Sequence, residues 1–272
     1  MTTGNLKINN INILTRSWDA KDPKANIILV HGYGEHSGRY AETAKQLNQI
    51  GCSVYSYDRR GEGKSEGPKA DIKEINNHVK DFILYKDTLD LSSKPTFIFG
   101  HSLGGLIVST YAIDYQPSDI TGVILSSPLL KIDDDTAPIL QKVAGLVARI
   151  LPKLPTVTLD PQLISRNKDE VRKYEDDPLI YHGSTNARTG YAIIKAIKYV
   201  QANYAKFKLS VLVLHGSADK LADPKGSQWF YDSISSSDKT IKIFEGLFHE
   251  MMREPEKEGF FITITKWIAK RM

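Results

Sequence analysis

Residues 96–115 read TFIFGHSLGGLIVSTYAIDY, and this stretch decides the fold. Thr96, Phe97, Ile98 and Phe99 are the residue types of a buried strand, and residues 103–115 continue in a helical pattern. Between them, Gly100-His101-Ser102-Leu103-Gly104 matches G-x-S-x-G. A turn this sharp forces the serine into a strained backbone conformation that small neighbours tolerate. The hydroxyl then stands clear of the sheet, and the free N–H groups of the helix N-terminus point toward the same spot. A helix-capping serine in a glycine-rich turn would give the same five letters. The strand before the motif and the helix after it favour a nucleophile at Ser102.

The same alternation runs outward on both sides. Residues 27–30, 52–57, 123–125, 211–214 and 241–244 read as further buried strands, and 40–50, 72–91, 226–234 and 260–270 as helices. Such alternation predicts an α/β fold, a mostly parallel sheet with helices on both faces. Segments 6–8 and 11–13, split by Asn9-Asn10, read as an antiparallel hairpin at the sheet edge. The alternation lapses over residues 131–203, a mainly helical stretch carrying Pro138, Pro152, Pro155, Pro161 and Pro178. An insert between two parallel strands emerges at one end of the sheet and covers whatever the strand ends build there. The expected organisation is a core in two parts, 1–130 and 204–272, with a helical cap insertion at 131–203.

At 272 residues, 41% hydrophobic and 25% charged, the chain can bury a core without disulfides or metals. The single cysteine, Cys52, lies in an apolar run and reads as packing, and one cysteine fits a reducing compartment. Residues 1–18 lack a charged segment followed by a long apolar one, and no run of about 18 apolar residues occurs. These features predict a cytoplasmic protein with no membrane-spanning helix. The net charge of +4 is spread along the chain, so no nucleic acid partner is expected.

A serine hydroxyl is a poor nucleophile at neutral pH and needs a base within hydrogen-bond reach. His249 follows the last strand by Glu245-Gly246-Leu247-Phe248, which puts it at the carboxyl end of the sheet with Ser102. Asp219 follows strand 211–214 through His215-Gly216-Ser217-Ala218, with Asp223 as its rival. An acid there fixes the imidazole tautomer and stabilises the imidazolium. The chain order Ser, Asp, His suits a strand–turn–helix nucleophile. Donors for the developing oxyanion are expected from the N–H groups of Leu103 and of Tyr33, in the loop His31-Gly32-Tyr33-Gly34. His101 either touches substrate or braces the turn. His31 and His215 are expected to bond loop backbone, and His78 and His182 to lie on the surface or in the cap. Metal and nucleotide motifs fail. His249-Glu250-Met251-Met252-Arg253 ends in arginine where H-E-x-x-H has its second ligand, and Gly61-Glu62-Gly63 is followed by Glu66 in the third glycine's place. No cofactor or metal is expected.

With these residues placed, the chain resembles the monoacylglycerol lipase family of the α/β-hydrolases almost end to end. His31-Gly32-Tyr33-Gly34-Glu35-His36-Ser37-Gly38-Arg39-Tyr40 is similar to the family's oxyanion-loop motif HGxGEHSGRY, which is far more specific than G-x-S-x-G. Asp58-Arg59-Arg60-Gly61-Glu62-Gly63-Lys64-Ser65-Glu66-Gly67 resembles the family's next loop. Ser165-Arg166-Asn167-Lys168, Asp177-Pro178-Leu179-Ile180 and Gly216-Ser217-Ala218-Asp219 also look like family sequence. The resemblance implies an α/β-hydrolase fold with a cap, Asp219 as the acid, and a monoacylglycerol or similar lipid ester as substrate. It further implies that Glu35, Arg39 and Tyr174 hold the glycerol end; for Glu35 and Arg39 an ion pair bracing the loop is an equal alternative. Two positions depart from the family. Met252 stands where mammalian members carry a second histidine near the polar end of the pocket, and Glu62 where relatives usually have histidine.

Residues 139–151 place Ile139, Leu140, Val143, Leu146, Val147, Ile150 and Leu151 on one side of a helix, with Gln141, Lys142, Gly145 and Arg149 on the other. Such a stripe is either core or, in a cap over an ester site, an interfacial helix in peripheral contact with a membrane. The reading that results is a serine esterase or lipase with Ser102, His249 and Asp219 as its triad. Its rivals are a lysophospholipase or other carboxylesterase on the same scaffold, a hydrolase-fold protein that binds without turnover, and acyl transfer to an alcohol other than water.

Overall fold

In the computed structural model, residues 1–91, 94–131 and 138–272 are described, the side chains of 138–142 excepted. The strands are β1 (Thr2–Ile8), β2 (Ile11–Trp18), β3 (Ala25–Val30), β4 (Cys52–Tyr57), β5 (Thr96–His101), β6 (Gly122–Ser126), β7 (Val211–Gly216) and β8 (Lys239–Phe244). They form one sheet in the order β1-β2-β4-β3-β5-β6-β7-β8. From β4 to β8 every pairing is parallel. The expected hairpin forms, through Asn9 and Asn10 at φ 49° and 64°, but it is longer than 6–13. Of its two strands β1 lies at the sheet edge and β2 does not, because β2 also pairs with β4 along Thr15–Trp18.

Successive side chains of a strand point to opposite faces, and the two faces bury separate clusters. Ile28, Val30, Ile98, Val123, Leu125, Val211 and Val213 face one cluster. Ile27, Leu29, Phe97, Phe99, Ile124, Leu212 and Leu214 face the other. Burial on both faces is why these strands read as unbroken apolar runs. The α-helices among the described residues are α1 (Ala41–Asn48), α2 (Ile75–Lys86), α3 (Leu103–Tyr115), α4 (Pro138–Ile150), α5 (Lys168–Glu175), α6 (Ala187–Ala202), α7 (Pro224–Ser233) and α8 (Lys257–Ala269). Residues of α2, α3 and α6 join the first cluster, and residues of α1 and α8 the second. His78 is a correction: it is buried in α2, with its Nδ1 3.4 Å from Arg59 Nη1, not on the surface.

Between β6 and β7 the chain leaves the sheet for α4, α5 and α6. The α5 region is fastened over the carboxyl ends of the strands. Tyr181 donates its N–H to Gly34 O (2.8 Å), Glu250 its N–H to Ile164 O (2.8 Å), and His36 Nε2 sits 2.9 Å from Asp177 Oδ2. By contrast α4 turns part of its apolar stripe outward. Leu146 is 59% and Ile150 65% exposed, with Val143 and Leu151 exposed beside them, so this part of the stripe is not core. The expected facing of Ile139, Leu140, Gln141 and Lys142 lies outside the described residues. Among the described residues no helix is long and apolar enough to cross a membrane.

Candidate active site

Ser102 occupies the single residue between β5 and α3, at φ 52° and ψ −118°. A non-glycine residue held there stores roughly 1–3 kcal/mol of strain and persists only where its surroundings over-determine it. Its N–H donates to Ser126 O at 3.0 Å, and its carbonyl accepts from Leu106 and Leu129 at 3.3 and 3.1 Å. The flanking glycines admit the turn: a Cβ on Gly104 would stand 2.1 Å from Val30 O, and one on Gly100 2.9 Å from Gly104 O.

Loops after β7 and β8 bring an acid and an imidazole to the same rim. His249 Nδ1 lies 2.7 Å from Asp219 Oδ2, and its ring centroid is 4.8 Å from that of His101 beside the serine. The Ser127 hydroxyl donates to His249 O at 2.7 Å and fixes the loop. Asp219 Oδ1 accepts the N–H groups of Leu221 and Ala222 at 2.8 and 3.0 Å. Asp223 is engaged elsewhere, capping α7 through Lys225 N and pairing with Lys131 Nζ at 2.7 Å. Burial works against the Asp219 charge, but the His249 and His215 rings outweigh it and hold the carboxyl well below the usual range. For His249, burial favours the neutral ring; Asp219 overcomes this and raises the imidazole above its ordinary 6.5. Among the described residues the Ser102 hydroxyl and the His249 ring share no hydrogen bond. Such contacts commonly close only around substrate.

Three consecutive amides line the loop after β3, and carboxylates take the outer two. Gly32 N donates to Glu35 Oε1 at 2.6 Å and Gly34 N to Glu62 Oε1 at 3.0 Å. Among the described residues the Tyr33 N–H between them has no acceptor, nor does the Leu103 N–H at the start of α3. These are the two donors expected from the sequence.

Glu35 is buried and saturated, taking Gly32 N, Tyr40 OH at 2.7 Å and Arg39 Nη1 at 2.7 Å. Arg39 also makes a bidentate pair with Glu250, at 2.7 and 2.8 Å, and packs its guanidinium 4.7 Å from the Tyr174 ring centroid. The ion-pair brace is thus built, and Glu250 is a member that sequence reasoning missed; its position beside His249 was the only signal. Burial pushes the Glu35 carboxyl up, but Arg39, the His101 and His31 rings and the Tyr40 hydroxyl together outweigh it and hold the group well below its ordinary range. His101 is buried, with Nδ1 3.1 Å from Ser126 O. Burial and the neighbouring His249 lower it to about 4, so it is neutral at pH 7. Met252 packs into the second core cluster. His215 does more than bond loop backbone: Nε2 lies 3.0 Å from both Ala222 O and Asp219 Oδ2.

A cavity of about 830 Å³ opens beside this rim. Val143 and Val147 of α4, Ile193 and Ile194 of α6, Leu154 and Leu221 form its apolar wall, and it reaches Leu129 and Asp219.

The profile of a protein family described as "Serine aminopeptidase, S33" matches residues 21–256. A monoacylglycerol lipase of Mycolicibacterium smegmatis is 32% identical over 253 residues, 92% of this chain and 90% of the relative. The monoglyceride lipase of Rattus norvegicus is 36% identical over 255 residues, 92% of this chain and 84% of the relative. The crystal structure of Paleococcus ferrophilus monoacylglycerol lipase superposes with a TM-score of 0.85 at 34% identity, covering 96% of this chain and 99% of that one. The strand order, the turn at Ser102 and this similarity along nearly the whole chain agree: the protein is a serine hydrolase of the α/β-hydrolase superfamily and belongs to the monoacylglycerol lipase family.

Proposed function

We propose that the protein hydrolyses monoacylglycerols to glycerol and fatty acid, with Ser102 as nucleophile, His249 as base and Asp219 as the acid that orients it. The observation carrying this reading is the His249–Asp219 hydrogen bond of 2.7 Å at the rim where Ser102 stands strained. Ser102 Oγ attacks the ester carbonyl and passes its proton to His249 Nε2. The Tyr33 and Leu103 N–H groups hold the oxyanion, each worth about 3 kcal/mol in the transition state. The carbon–oxygen bond to glycerol breaks as His249 returns the proton to the departing oxygen. Water then attacks the acyl-enzyme while His249 takes its proton, and the fatty acid leaves as the proton returns to Ser102.

In this reading residues 131–203 are a cap on a core of 1–130 and 204–272, and the apolar cavity under α4 and α6 takes the acyl chain. Such a wall favours an acyl group over the charged amine of an aminopeptide. Glu35, Arg39 and Tyr174 brace the polar end next to His101, close to where glycerol would sit. The exposed Leu146 and Ile150 support peripheral contact of α4 with a lipid surface. A panel of monoacylglycerols, lysophosphatidylcholine, short aryl esters and aminoacyl amides tests the substrate class. Monoacylglycerols should give the highest kcat/KM; a higher value for lysophosphatidylcholine or the amides would overturn the assignment.

A further inference from the structure

The Gly61-Glu62-Gly63 segment has no place in the triad, yet it delivers a carboxylate to the oxyanion loop. Both glycines have positive φ, 73° and 52°. A Cβ on Gly61 would stand 2.1 Å from Pro68 O, and one on Gly63 2.3 Å from Asp58 Oδ2. The loop after β4 can therefore fold this tightly only with glycine on either side of Glu62, and the fold turns that side chain inward, where it is 2% exposed. Its Oε1 accepts Gly34 N at 3.0 Å and faces Arg59 Nη2 at 3.3 Å. Arg59, itself fully buried, donates from the same Nη2 to Gly32 O at 2.6 Å and from its backbone N–H to His31 Nε2 at 2.9 Å.

We propose that Glu62 is a positioning residue that acts through Gly34. By occupying the Gly34 N–H while Glu35 occupies that of Gly32, it fixes the peptide planes before and after the Gly32–Tyr33 peptide, so that of the three loop amides only the Tyr33 N–H faces the reacting carbonyl. The proposal rests on the reading of Tyr33 as an oxyanion donor. Without an acceptor on Gly34 the loop can rotate, and the donor loses the alignment that pre-organised stabilisation requires. Burial raises the Glu62 carboxyl to about 7, against the pull of Arg59 and the Gly34 N–H. Either protonation state keeps an oxygen able to accept from Gly34, so the position needs an acceptor more than a charge.

The test compares Glu62→Gln, Glu62→Asp and Glu62→Leu on a soluble monoacylglycerol, with rates expressed per site titrated by a fluorophosphonate. Affinity for a trifluoromethyl ketone, which forms a tetrahedral adduct, is measured on the same samples. Gln keeps an acceptor at the right reach; Asp keeps the charge opposite Arg59 but falls one methylene short of Gly34. The expected result is kcat within about threefold of wild type for Gln, and a fall of about tenfold or more for Asp and Leu with KM little changed. Ketone affinity should fall in parallel with kcat/KM. Wild-type kcat and ketone affinity per titrated site in Asp and Leu would overturn the proposal, as would a loss in Gln equal to that in Asp. Should Leu not fold, the Gln and Asp pair decides alone. Turnover by the wild-type protein keeps a failure here separate from a failure of the function reading.

Discussion

His215 Nε2 lies 3.0 Å from Asp219 Oδ2, the same oxygen that takes His249 Nδ1 at 2.7 Å. Since Nε2 also faces Ala222 O at 3.0 Å, it faces two acceptors and carries the proton, while Nδ1 takes the Ser227 hydroxyl at 2.7 Å. His215 thus holds the acid in place from behind. His215→Leu should lower kcat about tenfold, or ~1.4 kcal/mol of transition-state stabilisation, with KM nearly unchanged. Steady-state kinetics on the folded variant check this, and an unchanged kcat would refute the role.

The His249 base must be neutral to accept the Ser102 proton. Its pKa in the folded protein is raised above 6.5 by Asp219. The rate should therefore fall as pH drops through that raised value, beginning above the pH where an ordinary histidine protonates. Asp219 sets this displacement, so Asp219→Asn should move the acid limb to lower pH while cutting kcat. A pH–rate profile for each protein reads both, and a wild-type rate flat down to about pH 4 would exclude histidine as the base.

Arg39 stands between two buried carboxylates, Glu35 at 2.7 Å and Glu250 at 2.7 and 2.8 Å. Removing the cation leaves Glu35 without a counter-ion and Glu250 with Arg253 alone, whose Nε lies 2.6 Å from Oε2, and in this buried site that costs about 3–5 kcal/mol. Arg39→Met should lower the Tm by about 10 °C, at roughly 2–4 °C per kcal/mol. Arg39→Lys should recover only part, because one ammonium cannot reproduce the bidentate pair. In the Met variant burial should raise the Glu35 carboxyl above its unfolded value, so the variant's stability should decline further as pH rises. Thermal melts between pH 5 and 8 test the magnitude and the sign.

The exposed face of α4 makes a separate prediction. Leu146 and Ile150 are more than half exposed, so Leu146→Ser with Ile150→Ser should leave the Tm within a degree or two. The same pair should weaken sedimentation with anionic vesicles and lower turnover of micellar substrate several-fold, while turnover of a short soluble ester stays put. Equal vesicle binding by both proteins would remove α4 as the contact.

Much of this was legible in the sequence because it is local. Ile27 to Val30 and Val211 to Leu214 are apolar at every position, which only a strand covered on both faces requires. Gly100 to Gly104 announces its turn because strand, strained serine and helix follow within a few residues. Glu250 was not legible: its partner Arg39 lies 211 residues away, and nothing in a run of Glu-Met-Met-Arg says which oxygens will meet. His78 was legible in principle. It stands three residues after Ile75 and four before Phe82, on the buried stripe of α2, and its polarity outweighed that spacing. Met252 shows the converse, since a position that the family resemblance implied to lie near the polar end of the pocket is here packed among core side chains.

The central claim is an acyl-enzyme on one hydroxyl. Wild-type protein and Ser102→Ala, matched for folded concentration, are given a monoacylglycerol at pH 8 and glycerol release is followed. Wild type should turn over, and Ser102→Ala should fall by at least about 10³-fold, leaving at most the residue that binding and the oxyanion donors sustain alone. Glycerol release by Ser102→Ala at a rate near that of wild type would contradict the account.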